Sequence, residues 1–273
     1  MRKNTDFCGA FGPQPQQQPQ LPEERTPSMR IAVVTIMKNE SDLLPFFLRH
    51  YAFADEIHVH DNESTDDTPK ILAANPKVKR HLFKTGGKND TPAKRKIRNE
   101  WYKTGTNAKW IICVDTDELL WHPRGVRVYL HECLSASITL PQVRGYQMFD
   151  ERPLPADDGR LLLTDWCKHG VEDRVHYSKR AAFQSCVDIH YGPGAHHCSP
   201  TGNVVHSPTE ELLLFHYKWL SYADAMKKLR WRAGILSDTN KLHGWSYKTE
   251  ELGDEKWLPF FKEMMAKRQQ VIP

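Results

Sequence analysis

Apolar residues fall along this chain in short, separated blocks, and the first is Ile31-Ala32-Val33-Val34-Thr35-Ile36-Met37. A β-branched and apolar run without alternation describes a strand buried on both faces. Lys38-Asn39-Glu40 ends it. Ser41 then reads as the N-cap of a helix whose apolar positions Leu44, Phe47, Leu48 and Tyr51 recur at helical spacing. Glu56 to His60 is a second strand, closed by the polar loop Asp61 to Asp67, and Thr68-Pro69 opens a short helix with proline suitably placed. Val78 to Phe83 is a third strand and Thr85-Gly86-Gly87 a turn. Residues 92–104 form a basic helix, and Trp110 to Val114 is a fourth strand. Alternation of this kind specifies a mostly parallel sheet with helices on both faces and right-handed crossovers, an α/β fold with a Rossmann-like first half.

Beyond Pro123 the pattern loosens. Residues 138–148 and 174–183 read as strands, 150–160 as a charged, proline-containing loop, and 185–210 as a segment rich in Gly, Pro and His. Leu212 to Phe215 is another short apolar strand, ending at His216-Tyr217. Ser221 caps a helix reaching Leu236, with Met226, Leu229, Ala233 and Leu236 inward and Lys227, Lys228, Arg230 and Arg232 outward. A last amphipathic helix covers residues 254–268.

Composition narrows the class. The chain has 273 residues, 39% of them hydrophobic and 26% charged, as in a soluble globular protein. No apolar run approaches the roughly 18 residues of a membrane helix. Residues 1–28 read as a disordered Pro/Gln-rich tail and lack the apolar core of a secretory signal. The six cysteines include no Cys-x-x-Cys pair, so reduced thiols in a cytoplasmic setting are expected. A net charge of +4 favours anionic ligands without specifying nucleic acid.

The chemistry gathers after the fourth strand, in Asp115-Thr116-Asp117-Glu118. Ligands of open α/β sheets collect beyond the carboxyl ends of the strands. Three acids placed there repel one another unless a cation lies between them, and Mg2+ and Mn2+ prefer oxygen ligands. A solvated acidic turn gives the same letters, so this motif alone is weak. No Gly-x-Gly-x-x-Gly and no Gly-x-x-x-x-Gly-Lys loop occurs, which argues against a dinucleotide oxidoreductase or a P-loop enzyme.

Three landmarks in order, Lys38-Asn39-Glu40, Asp61-Asn62-x-Ser64-x-Asp66 and Trp110…Asp115-Thr116-Asp117-Glu118, resemble the family-2 type of glycosyltransferase with the GT-A fold. Gly194-Ala195-His196-His197 and Leu214-Phe215-His216-Tyr217-Lys218 are similar to its family-2-like bacterial and viral branch. The resemblance spans most of residues 30–232. It implies a metal-dependent transferase that moves a sugar from a nucleotide-sugar donor, a UDP-sugar, to a hydroxyl acceptor. Asp117 would be the main ligand of Mn2+ or Mg2+, with Asp115 facing the ribose or the metal. Asp61 would contact uracil or ribose, and Lys38, Asn39, Glu40 and Asn99 would line or shape the donor pocket. His216, as the late histidine, would complete the metal site, with His196 and His197 as a second candidate pair.

Glu172-Asp173 is similar to the pair that carries the general base, with Asp173 the proton acceptor, Glu172 beside it and Asp165 in reserve. Each has a plainer reading: turn chemistry for the Asp61 loop, a backbone-bonded core histidine for His216, a surface acidic pair for Glu172-Asp173. Cys167-x-His169 with His197-Cys198 has zinc-type residues at irregular spacing. The implied organisation is a tail (1–28), a catalytic domain (29–220, with halves 29–123 and 124–220) and a C-terminal helical extension (221–273).

Other readings stay open. The basic helix carries Lys94, Arg95, Lys96, Arg98 and Lys103 around Trp101 and Tyr102, so glycosylation of a modified base in DNA is an alternative to a glycan, lipid-linked or small-molecule acceptor. A nucleotidyltransferase or a non-catalytic nucleotide-sugar-binding module is another. The basic face of residues 221–236 suits a peripheral place at a membrane surface.

Overall fold

The computed structural model describes residues 29–244 and 254–273; the tail expected over 1–28 lies outside them. The first half runs β1 (Ile31–Met37), α1 (Leu44–His50), β2 (Glu56–Asp61), α2 (Thr68–Ala73), β3 (Val78–Leu82), α3 (Thr91–Gly105), β4 (Trp110–Cys113). There follow β5 (Glu118–Trp121), α4 (Val126–Ser135), β6 (Val143–Met148), α5 (Leu163–Trp166), β7 (His169–Glu172), β8 (Ala182–Gln184), β9 (Val187–Asp188), β10 (Thr201–Gly202) and β11 (Leu212–His216). The chain closes with α6 (Tyr222–Ala233), α7 (Asp238–Leu242), α8 (Asp254–Lys267) and β12 (Gln269–Gln270).

Every residue of β1, β2 and β4 is buried, as a strand covered by helices on both faces requires. These strands form a sheet in the order β3-β2-β1-β4-β8. The first four are parallel and β8 is antiparallel against β4. The expected α/β fold with a mostly parallel central sheet is therefore present. The chain winds outward from β1 to β2 and β3, then returns to place β4 on the other side of β1. A crevice opens at the carboxyl ends where the winding direction changes, and ligands of such sheets bind there. The loops after β1 and β4 flank it.

A second sheet, β12-β7-β6-β11-β5, stands beside the first. The two sheets exchange strands across residue 123: β5 lies in the second sheet and β8 in the first. Tyr51, fully buried after α1, ties them together. Its hydroxyl accepts from the Leu120 N–H at 2.8 Å and donates to the Glu118 carbonyl at 3.0 Å. That clamp fixes where the acidic loop leaves the sheet.

Several boundaries differ from the sequence reading. Ser41 does not cap α1, which starts after a turn, with Leu43 at the cap position and Pro45 in the first turn. The Ser41 N–H instead donates to Asp66 Oδ2 at 3.1 Å. Of 174–183 only the last two residues are in a strand, because Asp173 Oδ1 accepts from the N–H groups of Val175 and His176 and turns the chain. β5 and β7 were not expected, and of 138–148 only β6 is a strand. Ser221 does cap α6, accepting from the Asp224 N–H. The described cysteines, Cys113, Cys133, Cys167, Cys186 and Cys198, are free. Among the described residues, no helix is long and apolar enough to cross a membrane.

Candidate active site

The loop after β4 carries Asp115, Asp117 and Glu118 into the crevice, and each carboxylate meets a cation from a different element. Arg98 of α3, itself buried, pairs with Asp115, whose side chain keeps 36% of its surface exposed. Lys179 pairs with Glu118, both almost fully buried, and Glu118 Oε2 accepts from the Asp115 N–H at 2.6 Å. Lys228 of α6 lies 3.0 Å from Asp117 Oδ2 and 3.1 Å from Glu40 Oε2, with Arg232 at 4.0 Å from the same Asp117 oxygen.

These pairs decide the charge states. Burial alone would raise Asp115 and Asp117. Arg98 and Lys179 hold Asp115 well below the usual carboxylate range, and Lys228, with Arg232 behind it, does the same for Asp117. Burial wins at Glu118, pushing it up to about 7 even beside Lys179. Glu40 is also raised, by burial, with Asp117 adding to it. Burial together with Arg232 lowers Lys218 to about 7, and burial lowers Lys94 to about 8. Lys94, Arg98, Lys179, Lys218, Lys228 and Arg232 together outnumber the four carboxylates they face. That surplus suits an anionic ligand.

His216 closes the site from β11, opposite Glu118 in the β5 register. The Gln147 amide nitrogen donates to the carbonyls of Met148 and His216, both at 2.9 Å, so its Oε1 is the accepting end. His216 Nδ1 lies 2.6 Å from that oxygen and must carry the proton. Nε2 is then a bare lone pair, 3.6 Å from Asp117 Oδ1. Burial lowers the His216 pKa to about 3 and keeps the ring neutral. Tyr177 stacks on the ring at 4.1 Å, and Gly145 lets the Tyr177 backbone pass where a Cβ would lie 2.1 Å from its carbonyl carbon.

Among the described residues, no three or more His, Cys, Asp or Glu side chains are placed to hold a metal by themselves. Mg2+-like ions do not need such a cage, since one or two carboxylates plus substrate phosphates commonly suffice. Two acceptors, the Asp117 oxygen and the His216 lone pair, face one another here, and a neutral imidazole with its far nitrogen fixed by Gln147 is the ligand form of histidine. The donor set fits a divalent ion held jointly with a diphosphate. It does not fit structural zinc: the Cys167 Sγ is directed to the carbonyls of Phe149 and His169.

The loops after β1 and β2 are knitted together. Asn39 adopts φ 51°, its Oδ1 accepts from the Thr65 N–H at 2.8 Å, and its own N–H donates to Ser64 Oγ at 2.9 Å. Lys38 Nζ donates to the carbonyls of Asn62 and Glu63. Asp61, paired in register with Met37, is fully buried, its carboxylate committed to Arg80 and the Ser64 N–H. Beside these loops a 450 Å3 cavity is lined by Asn39, Glu40, Tyr217, Lys218, Lys228 and Trp231, among others.

Other expected residues lie apart from the acids or do other work. Asn99 spends both ends of its amide on the Tyr191 backbone. Glu172 pairs with Arg174 at 2.5 Å. Asp173 is 2.9 Å from His176 Nδ1, and the His176 carbonyl lies 2.6 Å from His196 Nδ1. The basic helix does not offer an aromatic face to nucleic acid: Tyr102 is buried, and Trp101 packs against His58, His60 and His81. Lys228 corrects the sequence reading. Assigned to the outward face of α6, it is turned into the site, and Arg232 one turn later joins it. Sequence patterning missed Lys179, Lys218 and Lys228; the one available signal was that three neighbouring acids require counter-charges from elsewhere.

No protein-family model and no curated protein matches the chain. Among solved structures, it is similar to glucosyl-3-phosphoglycerate synthase from Mycobacterium tuberculosis in complex with Mn2+ and UDP, at 19% identity and TM-score 0.30, over 43% of this chain and 44% of that one. It is also similar to a mannosyltransferase from Pyrobaculum calidifontis in complex with GDP-mannose and Mn2+, at 14% identity and TM-score 0.39, over 85% of this chain and 68% of that one. A 4-diphosphocytidyl-2C-methyl-D-erythritol synthase matches at 17% identity and TM-score 0.35, over 57% of this chain and 75% of that one. The chain spans less than half the length of the mycobacterial synthase.

Proposed function

We propose that this protein is a divalent-metal-dependent glycosyltransferase of the GT-A type, moving a sugar from a uridine diphosphate sugar to a hydroxyl on a glycan, a lipid-linked or a small-molecule acceptor. One observation carries the reading. At the crevice where the winding of the parallel sheet reverses, the His216 Nε2 lone pair and Asp117 Oδ1 face each other 3.6 Å apart. Asp117 and His216 would hold Mn2+ or Mg2+, which supplies Lewis-acid stabilisation of the departing diphosphate. Asp115, with the more exposed carboxylate of the pair, reaches toward the ribose or the metal. Arg232 adds permanent positive charge where negative charge develops, and Lys94 and Lys218, lowered to about 8 and about 7, are drawn to their charged form by an entering diphosphate.

Lys38, Asn39 and Glu40 form the nucleotide wall, and Asp61 acts from beneath by holding Ser64 under Asn39. Asp173 takes the acceptor proton. Burial opposes its charge, yet the His176 and Val175 N–H groups and the His176 ring lower its pKa, which keeps the carboxylate ionised while reducing its basicity. The test is thermal melting with UDP, GDP and CDP, with and without Mn2+, since a ligand of the native state raises apparent stability. UDP should stabilise the protein only with the metal, and Asp117→Ala should remove both that shift and slow hydrolysis of the donor. Metal-independent hydrolysis persisting in Asp117→Ala would count against the proposal.

A further inference from the structure

The segment following β11 crosses from one half of the molecule to the other as a strap over the crevice. Its near end is fixed where the Asp150 N–H donates to the Leu220 carbonyl at 2.7 Å and the Leu154 N–H to Asp224 Oδ2 at 2.8 Å. Its far end docks on the start of α3: the Asn89 N–H donates to the Ile235 carbonyl at 2.6 Å, and the Thr91 N–H to Asn240 Oδ1 at 3.1 Å. Lys227 adds an exposed ion pair to Asp42 at 2.6 Å. With both ends held, the α6 backbone is fixed across the site, and Lys228 hangs from it on a flexible four-carbon stem.

The Lys228 ammonium sits between the two carboxylates from the first half, Glu40 and Asp117, on the Oδ2 side of Asp117, while His216 faces Oδ1. A divalent ion binding Asp117 meets this tethered charge within a few ångströms, and like charges so close in a buried site repel strongly. A nucleotide diphosphate offers the ammonium a new partner in the same crevice. We infer that Lys228 is an intramolecular counter-cation that holds the metal position closed in the free protein and transfers to the diphosphate when donor and metal enter together. This rests on the proposed function, because it takes Asp117 as the metal ligand. Its consequence is coupling: metal alone and nucleotide alone bind weakly, and each strengthens the other by the same factor.

The experiment is calorimetric titration of Mn2+ into the full chain, with and without saturating UDP, for the native protein and for Lys228→Met and Lys228→Gln, whose folding is checked by near-ultraviolet circular dichroism. Without UDP, either variant should bind Mn2+ about ten-fold more tightly than the native chain, a typical coupling size. UDP without metal should bind the variants more weakly, and the gain in Mn2+ affinity on adding UDP should shrink. Lys228→Arg, which keeps the charge, should retain the weak native affinity for Mn2+ alone. Unchanged or weaker Mn2+ binding in a folded Lys228→Met or Lys228→Gln, with the native chain binding Mn2+ in the presence of UDP, overturns the inference and leaves the proposed function standing. Absence of Mn2+ binding to the native chain even with UDP overturns both.

Discussion

Gln147 holds His216 by both its backbone and its ring: the amide nitrogen donates to the His216 carbonyl at 2.9 Å, and Oε1 accepts from Nδ1 at 2.6 Å. One side chain thereby sets the orientation, tautomer and register of the imidazole. Removing such a partner of a metal-bound histidine typically costs 10–100-fold in affinity. Gln147→Leu should therefore weaken Mn2+ binding, measured with UDP present, by about that factor. Undiminished affinity would remove His216 from the metal site.

Gly145 makes a second, structural prediction. Its missing Cβ is where the Tyr177 backbone crosses β6, and an added carbon would lie 2.1 Å from the carbonyl carbon and 2.2 Å from its oxygen. Neither neighbour is a flexible side-chain end, so the backbone must move. Gly145→Ala should destabilise the protein by about 1–3 kcal/mol, the usual cost of overpacking, and displace Tyr177 from His216. Urea unfolding reads the first effect. A variant as stable as the native chain would show that the Tyr177 backbone yields at this crossing without cost.

The sheet was legible because its strands carry their burial in their letters. Ile31 to Met37 is apolar but for the β-branched Thr35 and Trp110 to Cys113 is apolar throughout, without the alternation of a half-exposed strand, as a strand covered on both sides requires. The acids after β4 were legible for a related reason: carboxylates directly after such a run sit at a strand end. Lys228 was not. The apolar stripe of Met226 and Leu229 shows which face of α6 packs, but the polar face looks the same whether it meets water or another element's carboxylates. Glu40 and Asp117 are far from it in sequence. Likewise 174–183 looked like a strand from its composition, although Asp173 turns the chain through two backbone hydrogen bonds. Local propensity yields to such tertiary and turn contacts.

Acid should unfold this protein through its buried histidines. Burial lowers His50 and His58 to about 4 and His60 to about 3, and the His60 Nε2 has no hydrogen-bond partner among the described residues. In the unfolded chain each titrates near 6.5. Above that pH each histidine is neutral in both states and costs no stability. As pH falls below it, only the unfolded state takes up protons, and each histidine removes about 1.4 kcal/mol per pH unit until its folded value is reached. Urea unfolding from pH 7.5 down to 4.5 should show this slope. His60→Leu should keep most of the stability at pH 7.5 and lose one proton's worth of the slope; an unchanged slope would mean that His60 is protonated in the fold.

Lys179 and Glu118 give the opposite pH dependence. The pair is almost fully buried, with side-chain exposures of 1% and 3%. Lys179 keeps its proton although burial opposes it, because Glu118 and Asp115 both favour its charge. Lys179→Met strands Glu118 as a buried, unpaired carboxylate, a change that costs about 3–5 kcal/mol where the carboxylate stays ionised. Burial already lifts Glu118 to about 7, and losing its ammonium partner lifts it further, so the acid can escape the cost by taking up a proton. The destabilisation measured by urea unfolding should be largest at pH 8.5 and clearly smaller at pH 6. Equal losses at both would mean that Glu118 is held ionised by another group, with Arg98, whose charge Glu118 already favours, the candidate.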